Sequence, residues 1–188
     1  MRRGFKAEAE RLSVRLRTEL GVPPIQRLDV DQLAAHLGVE VCCADDLVDR
    51  TELEKLNALQ PGCFSAATFH LPGGRTVAVT NPVGTTEARR DSDLAHELAH
   101  VILRHELRTA ERIGGLTFFN CDPEQEEEAN WLAGCLLLPR PLLLAEARLG
   151  RTAEQIATKH NVSLQMAKFR LNTSGVHFQV SRARTVKP

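Results

Sequence analysis

The chain has 188 residues, 43% of them hydrophobic, which is enough for an ordinary core in one domain or one domain with a small appendage. Lys+Arg (24) balance Asp+Glu (24), so no global field draws it to nucleic acid or to an anionic membrane. The first twenty residues are charged throughout, without the apolar centre of a signal peptide, and no apolar run is long enough to span a bilayer.

The five cysteines include the adjacent pair Cys42 and Cys43, and no C-x-x-C occurs. That pattern fits neither a disulfide framework nor a zinc ribbon, so free thiols in a reducing cytoplasm are expected.

Residues 5–20 carry the period of an amphipathic helix, ended by Gly21 and Pro23-Pro24. "LDVDQLAAHLGVEV" reads as a short helix over about 30–37, a Gly38 stop and a strand. Residues 46–60 are ambiguous, although a helix fits. "CFSAATFHLPGGRTVAVTN" reads as a hairpin whose two alternating runs flank a Pro72-Gly73-Gly74 turn. A long helix follows, with Asp91 or Ser92 as its expected N-cap. Residues 108–121 read as a loop with Gly114-Gly115 as its flexible point. The next helix starts at Asp122 (cap), Pro123 (first position) and Gln125, which completes a D-x-x-Q capping box. It runs to about Leu138, where Pro139 and Pro141 stop it. "TAEQIATKHNVSLQMAKFRLNTSG" reads as two short helices around a turn at Asn161-Val162, with Ser163 capping the second, and residues 176–188 as a tail.

Chemistry concentrates in "LAHELAHVIL", residues 94–103. Three ionisable groups in an apolar run are costly as plain core, because a buried polar group without a partner costs several kcal/mol. The spacing is H-E-x-x-H, which places His96 and His100 on one helical face, able to share one metal ion. Glu97 lies about 100° round the helix, within reach of a water at that metal. The flanking Leu94, Ala95, Leu98, Ala99, Ile102 and Leu103 bury such a helix, whereas a chance motif falls more often on a solvated face.

A catalytic zinc needs a third protein ligand and an open position. The H-x-x-G-x-x-H extension is absent, with Leu103 and Glu106 at its key places, so the ligand comes from elsewhere. "PEQEEEANWLAGCLLLP" offers Glu124, Glu126, Glu127 and Glu128. Acidic residues in a first turn also suit the helix dipole with no other role. Glu126 shares its face with Asn130 and Ala133, so a small residue permits close approach and Asn130 could hydrogen-bond a ligand histidine. Glu127 shares a face with bulky Trp131, and Glu128 with Leu132. Glu126 is the choice on this ground, with Glu128 next.

The order "TVAVTN", "DLAHELAHVILRH", "QEEEANWLAGCLLLP", "IATKHNVSLQMAKFRL" resembles the ImmA/IrrE family of metallopeptidases, over about residues 28–175. Leu132 departs from the family's usual Phe, and Ser92-Asp93 from a common aromatic-hydroxyl pair. The resemblance implies one zinc ion on His96, His100 and Glu126, with Glu97 as catalytic base, in a cytoplasmic zinc endopeptidase. Its implied substrates are helix-turn-helix repressors of the XRE type.

The fold expected is α+β: a zincin-like core with a small β-sheet packed on the HExxH helix and a following Glu-bearing helix, plus a C-terminal helix-turn-helix-like part. The expected division is a peptidase domain over 1–140, a helical region over 141–175 and the tail. With no tyrosine in the chain, the oxyanion donor falls to His70, His105, His160, His177 or an arginine. Residues 76–80 are the expected open sheet edge for a substrate strand.

The rival reading is a DNA-binding or regulatory protein that uses the C-terminal helix pair, with a metal-sensing or degenerate peptidase domain. Its supposed recognition helix offers only Lys168 and Arg170 as basic residues, too thin a footprint to expect direct DNA binding.

Overall fold

Helix α1 (Phe5–Glu19) turns Phe5, Ala9, Ser13, Leu16 and Arg17 inward, the stripe its apolar spacing prescribes. Helix α2 (Val30–His36) is capped by Asp29, which accepts from the amides of Asp31 and Gln32. Gly38, at φ 69°, turns the chain out of α2 into strand β1 (Val39–Cys43). The ambiguous stretch resolves into a 3-10 turn (Ala44–Asp46) and helix α3 (Arg50–Leu59). The computed structural model describes residues 1–105, 110–113, 116–119 and 122–185.

Strands β2 (Ala66–His70) and β3 (Thr76–Thr80) form the expected hairpin, with Ala66 opposite Thr80 and His70 opposite Thr76. Strand β3 also pairs in parallel with β1, so the sheet order is β1-β3-β2. This corrects the expected edge. Residues 76–80 form the central strand, because α3 carries the chain from β1 to the far edge at β2, and β3 turns back from β2 to fill the place between them. Among the described strands of this sheet, β1 and β2 are the edges.

Helix α4 (Glu87–Leu103) carries the histidine motif and packs on β2 and β3. It begins over a turn before the expected cap, with the Thr86 hydroxyl accepting from the Arg89 amide at 3.2 Å. The charged run "RRDS" obscured that turn, but ion pairs accommodate it: Asp91 takes Arg27 at 2.6 Å, and Asp31 takes Arg90 at 2.6 Å.

Strands β4 (Ala110–Ile113) and β5 (Leu116–Phe119) pair antiparallel where a loop was expected. Ile113 is opposite Leu116, and Gly114-Gly115, the expected flexible point, lies outside the described residues. Two glycines between β-forming runs are a hairpin signal as much as a loop signal.

Helix α5 (Pro123–Leu137) begins at Asp122, whose carboxylate accepts from the Glu124 amide rather than from Gln125, the donor of a full capping box. Its last turn lies in the core, where water cannot satisfy the orphan carbonyls every helix leaves. Side chains do so instead. Ser13 Oγ donates to the Cys135 carbonyl at 2.6 Å, and Arg17 Nη2 to those of Leu136 and Leu137 at 2.7 and 3.3 Å. Arg170 Nε donates to the Leu138 carbonyl at 3.1 Å. Both arginines are fully buried, and two cations at a helix C-terminus also suit its dipole. Burial pushes the Arg17 guanidinium down to about 10, still far above neutrality.

Helix α6 (Arg140–Arg148) follows Pro139, and α7 (Ala153–His160) opens with a Thr152–Gln155 capping box. Asn161 (φ 49°) joins α7 to α8 (Leu164–Thr173), which Ser163 caps as expected. The expected tail is helix α9 (Val176–Thr185), anchored by fully buried Val176 and by Arg140, which donates to the Ser174 carbonyl and to Gln179. One apolar cluster runs from Phe5 through Leu94, Leu98, Leu132 and Leu136 to Ile156, Leu171 and Val176. The structure is mixed α+β.

Candidate metal centre

Helices α4 and α5 pack extensively on one another, and fully buried Ala95, Ala99, Ala129 and Ala133 are small enough to let them approach. The approach brings three side chains to one point. His96 Nε2 and His100 Nε2 lie 3.1 Å apart. Glu126 Oε2 is 3.3 Å from His96 Nε2, and its Oε1 is 3.7 Å from His100 Nε2. Tetrahedral ligands at about 2.0–2.1 Å from a zinc ion sit about 3.3 Å from one another. The donor set therefore fits a divalent cation of that size, and two imidazoles with one carboxylate are ligand types zinc accepts.

Glu97 is 8% exposed, and its Oε2 accepts from the Thr68 hydroxyl of β2 at 2.8 Å. The edge strand thus lies directly against this carboxylate. A cleft of about 760 Å³ opens beside His96 and Glu126. Arg89, Asp93 and Ser65 line one part of it, and Trp131, Met166 and Phe169 another. Trp131 and Phe169 meet edge to face with centroids 5.6 Å apart. Burial raises the Asp93 carboxyl above its ordinary range, against the opposing pull of Arg89.

The other glutamates of α5 separate by burial. Glu124 and Glu127 are exposed, whereas Glu128 is buried on the far side of the histidines. Asn130 is exposed in the cleft wall and hydrogen-bonds neither histidine among the described residues, contrary to expectation. The contact expected of it is made by His105, whose Nδ1 lies 3.0 Å from His100 Nδ1. Burial lowers the His105 pKa from its ordinary value, more than Glu128 raises it. Its place five residues after His100 held no periodic signal, because the chain leaves the helix between them.

The oxyanion candidates separate too. His105 sits behind His100 and His160 is buried against Glu146, while His70 is held by Thr76 at 2.9 Å. His177 is exposed on α9, and among the described residues of that set Arg89 lines the cleft. Ser92 and Asp93 reach the cleft, and Leu132 is fully buried. Arg170 holds α5, and Lys168 stands exposed 3.9 Å from Glu154. Cys42, Cys43, Cys63 and Cys135 are free thiols. Among the described residues, no helix is long and apolar enough to cross a membrane.

The site and the fold around it correspond to a metallopeptidase-type domain. Residues 69–172 match the model of the peptidase M78 family, described as the IrrE N-terminal-like domain, and the chain belongs to that family. The ImmA/IrrE resemblance of the sequence holds accordingly. No curated protein matches the chain.

Proposed function

We propose that this protein is a zinc-dependent endopeptidase that cleaves a helix-turn-helix repressor in the cytoplasm. The observation that carries the reading is the convergence of His96, His100 and Glu126 within 4.8 Å, with Glu97 on the same helix. The three would hold one zinc ion, which when bound would supply Lewis acidity toward a water and the scissile carbonyl. Glu97 takes a proton from the attacking water and passes it to the leaving amine. The Thr68 hydroxyl donates to Oε2 and orients the carboxylate, which leaves Oε1 the less encumbered oxygen for the proton.

The peptide adds to the edge of β2, the strand that carries Thr68, and therefore runs past Glu97. Its side chains enter the cleft, where Met166 and Phe169 of α8 form a wall with Trp131. Helix α8 in this reading contacts protein substrate, not DNA. An exposed, extended segment of a folded repressor suits both surfaces, and the family resemblance names that partner.

The test is to load the protein with zinc and incubate it with repressors encoded beside it and with casein. Single-site cleavage of one repressor, blocked by a chelator and by Glu97→Gln, is expected. Degradation of casein with every repressor intact would replace the reading with a general peptidase. A protein that takes up no zinc would end it.

A further inference from the structure

Helix α4 ends in a left-handed turn on an uncommon residue. Its capping residue, Arg104, adopts the left-handed conformation at φ 54°, where glycine is the common choice. A long side chain in that conformation is strained, and such strain concentrates at functional sites. The turn lets the His105 amide donate back to the His100 carbonyl at 3.0 Å. The His105 ring consequently folds onto the helix, edge to face with His100 at a centroid distance of 4.9 Å.

We propose that His105 is a positioning residue for the metal: it accepts the Nδ1 proton of His100 and so presents the His100 Nε2 lone pair to the ion. This rests on the metallopeptidase reading above. Two Nδ1 atoms 3.0 Å apart form a stable contact when one donates and the other accepts. His100 Nε2 faces His96 and Glu126, so as a ligand it must be bare and the His100 proton must sit on Nδ1. His105 Nδ1 is then the acceptor, and the His105 proton lies on Nε2.

That nitrogen faces Glu128 Oε2 at 3.7 Å. Glu128 is held in turn by the Arg2 backbone amide, which donates to Oε1 at 3.0 Å. The side chains of His105 and Glu128 are only 7% and 11% exposed, so water does not replace either group. A solvated first-turn carboxylate explains Glu124, but it does not explain a buried Glu128. The chain Glu128–His105–His100 gives that burial a purpose: α5 supplies a ligand from its first turn and, two residues later, the support behind another ligand.

Zinc affinity is measured by chelator competition on the full chain. His105→Phe keeps the bulk and removes the acceptor, and should weaken binding about 10–100-fold. His105→Asn puts an oxygen where Nδ1 was and should recover most of the loss, with metal-free melting temperatures alike. A merely structural histidine would not show that rescue. Nitrogen-15 spectra of the metal-free protein at pH 8 should find the His100 proton on Nδ1 in the wild type, and redistributed toward Nε2 in His105→Phe.

If His105→Phe does not fold, Glu128→Gln is read by the same two measurements, with smaller changes of the same sign. Wild-type zinc affinity and an unchanged His100 tautomer in the variants would overturn the proposal. If the wild type binds no zinc, the peptidase reading fails, while the spectra still decide where the His100 proton lies.

Discussion

The two ends of α5 are built on opposite plans. Its first turn presents Glu124, Glu126 and Glu127 to solvent or to the cleft, and joins the core through Ala129. Its last turn is buried, with the carbonyls of residues 135–138 each met by a side-chain donor from α1 or α8. Nothing in the chemistry of a metal requires such a clamp, but placing one does. Glu126 projects from a helix whose far end is fixed, so small displacements of its carboxylate relative to α4 are suppressed. In the proposed reading, metal binding belongs to one end and stability to the other.

Glu126→Ala should separate the two most sharply. We expect zinc affinity to fall by more than the about 100-fold typical of losing an outer partner, with the metal-free melting temperature unchanged or raised. A large loss of stability in the metal-free variant, measured by calorimetry, would break the comparison.

Arg17→Met should behave in the reverse sense. It leaves the carbonyls of Gln26, Leu136 and Leu137 without their donor in a dry setting, at a cost of about 3 kcal/mol in denaturant unfolding. Folded protein should still bind zinc with near wild-type affinity. If zinc binding collapses while stability holds, the clamp acts on the site directly.

The anchored half extends into α6 and α7, where Glu146 is gripped by Lys159 at 2.6 Å, Arg151 at 2.7 Å and His160 at 3.1 Å. Burial raises the Glu146 pKa, but Lys159 and His160 lower it further, to a net value below the ordinary range. A carboxylate depressed on folding adds stability above its unfolded pKa, near 4.5, and loses it as pH falls through the folded value. Urea titrations from pH 7 to pH 3 should therefore show a steeper acid loss in the wild type than in Glu146→Gln. Parallel curves would refute that assignment.

The smallest effect belongs to the open end. Glu124→Gln should leave both zinc affinity and melting temperature at wild-type values, and a clear change in either would show that the first turn is not merely solvated.

How much of this could be read from the chain follows the same division. The motif His96-Glu97-His100 was legible because a helix converts sequence spacing into a shared face. Glu126 was separable from Glu124, Glu127 and Glu128 by its small neighbour Ala133. The caps Asp29, Asp122, Thr152 and Ser163 are local chemistry, and of these Asp122 and Ser163 could be marked in advance as helix starts.

What escaped was set by partners far along the chain. Residues 76–80 became a central strand because β1 pairs with them from 37 positions away at each rung, as Val39 does with Thr76. Asn130 was given a role that fell to His105, because a left-handed Arg104 is invisible to periodicity. The start of α4 hid behind charges whose partners, Arg27 and Asp31, lie some 60 residues earlier.

One small feature has a long reach. A methyl group at Gly134 would lie 2.5 Å from Arg170 Cδ and 3.2 Å from Met166 Sδ, so α8 rests on α5 where a side chain is missing. Met166 is also a wall of the cleft. The clearance between two helices at their contact therefore sets the calibre of the groove on the other side. Gly134→Ala, remote from every ionisable group at the metal, would tilt that wall like a shim under a hinge. If the cleft takes substrate as proposed, a protein built this way could retune which side chains it admits without altering a single atom of the metal centre.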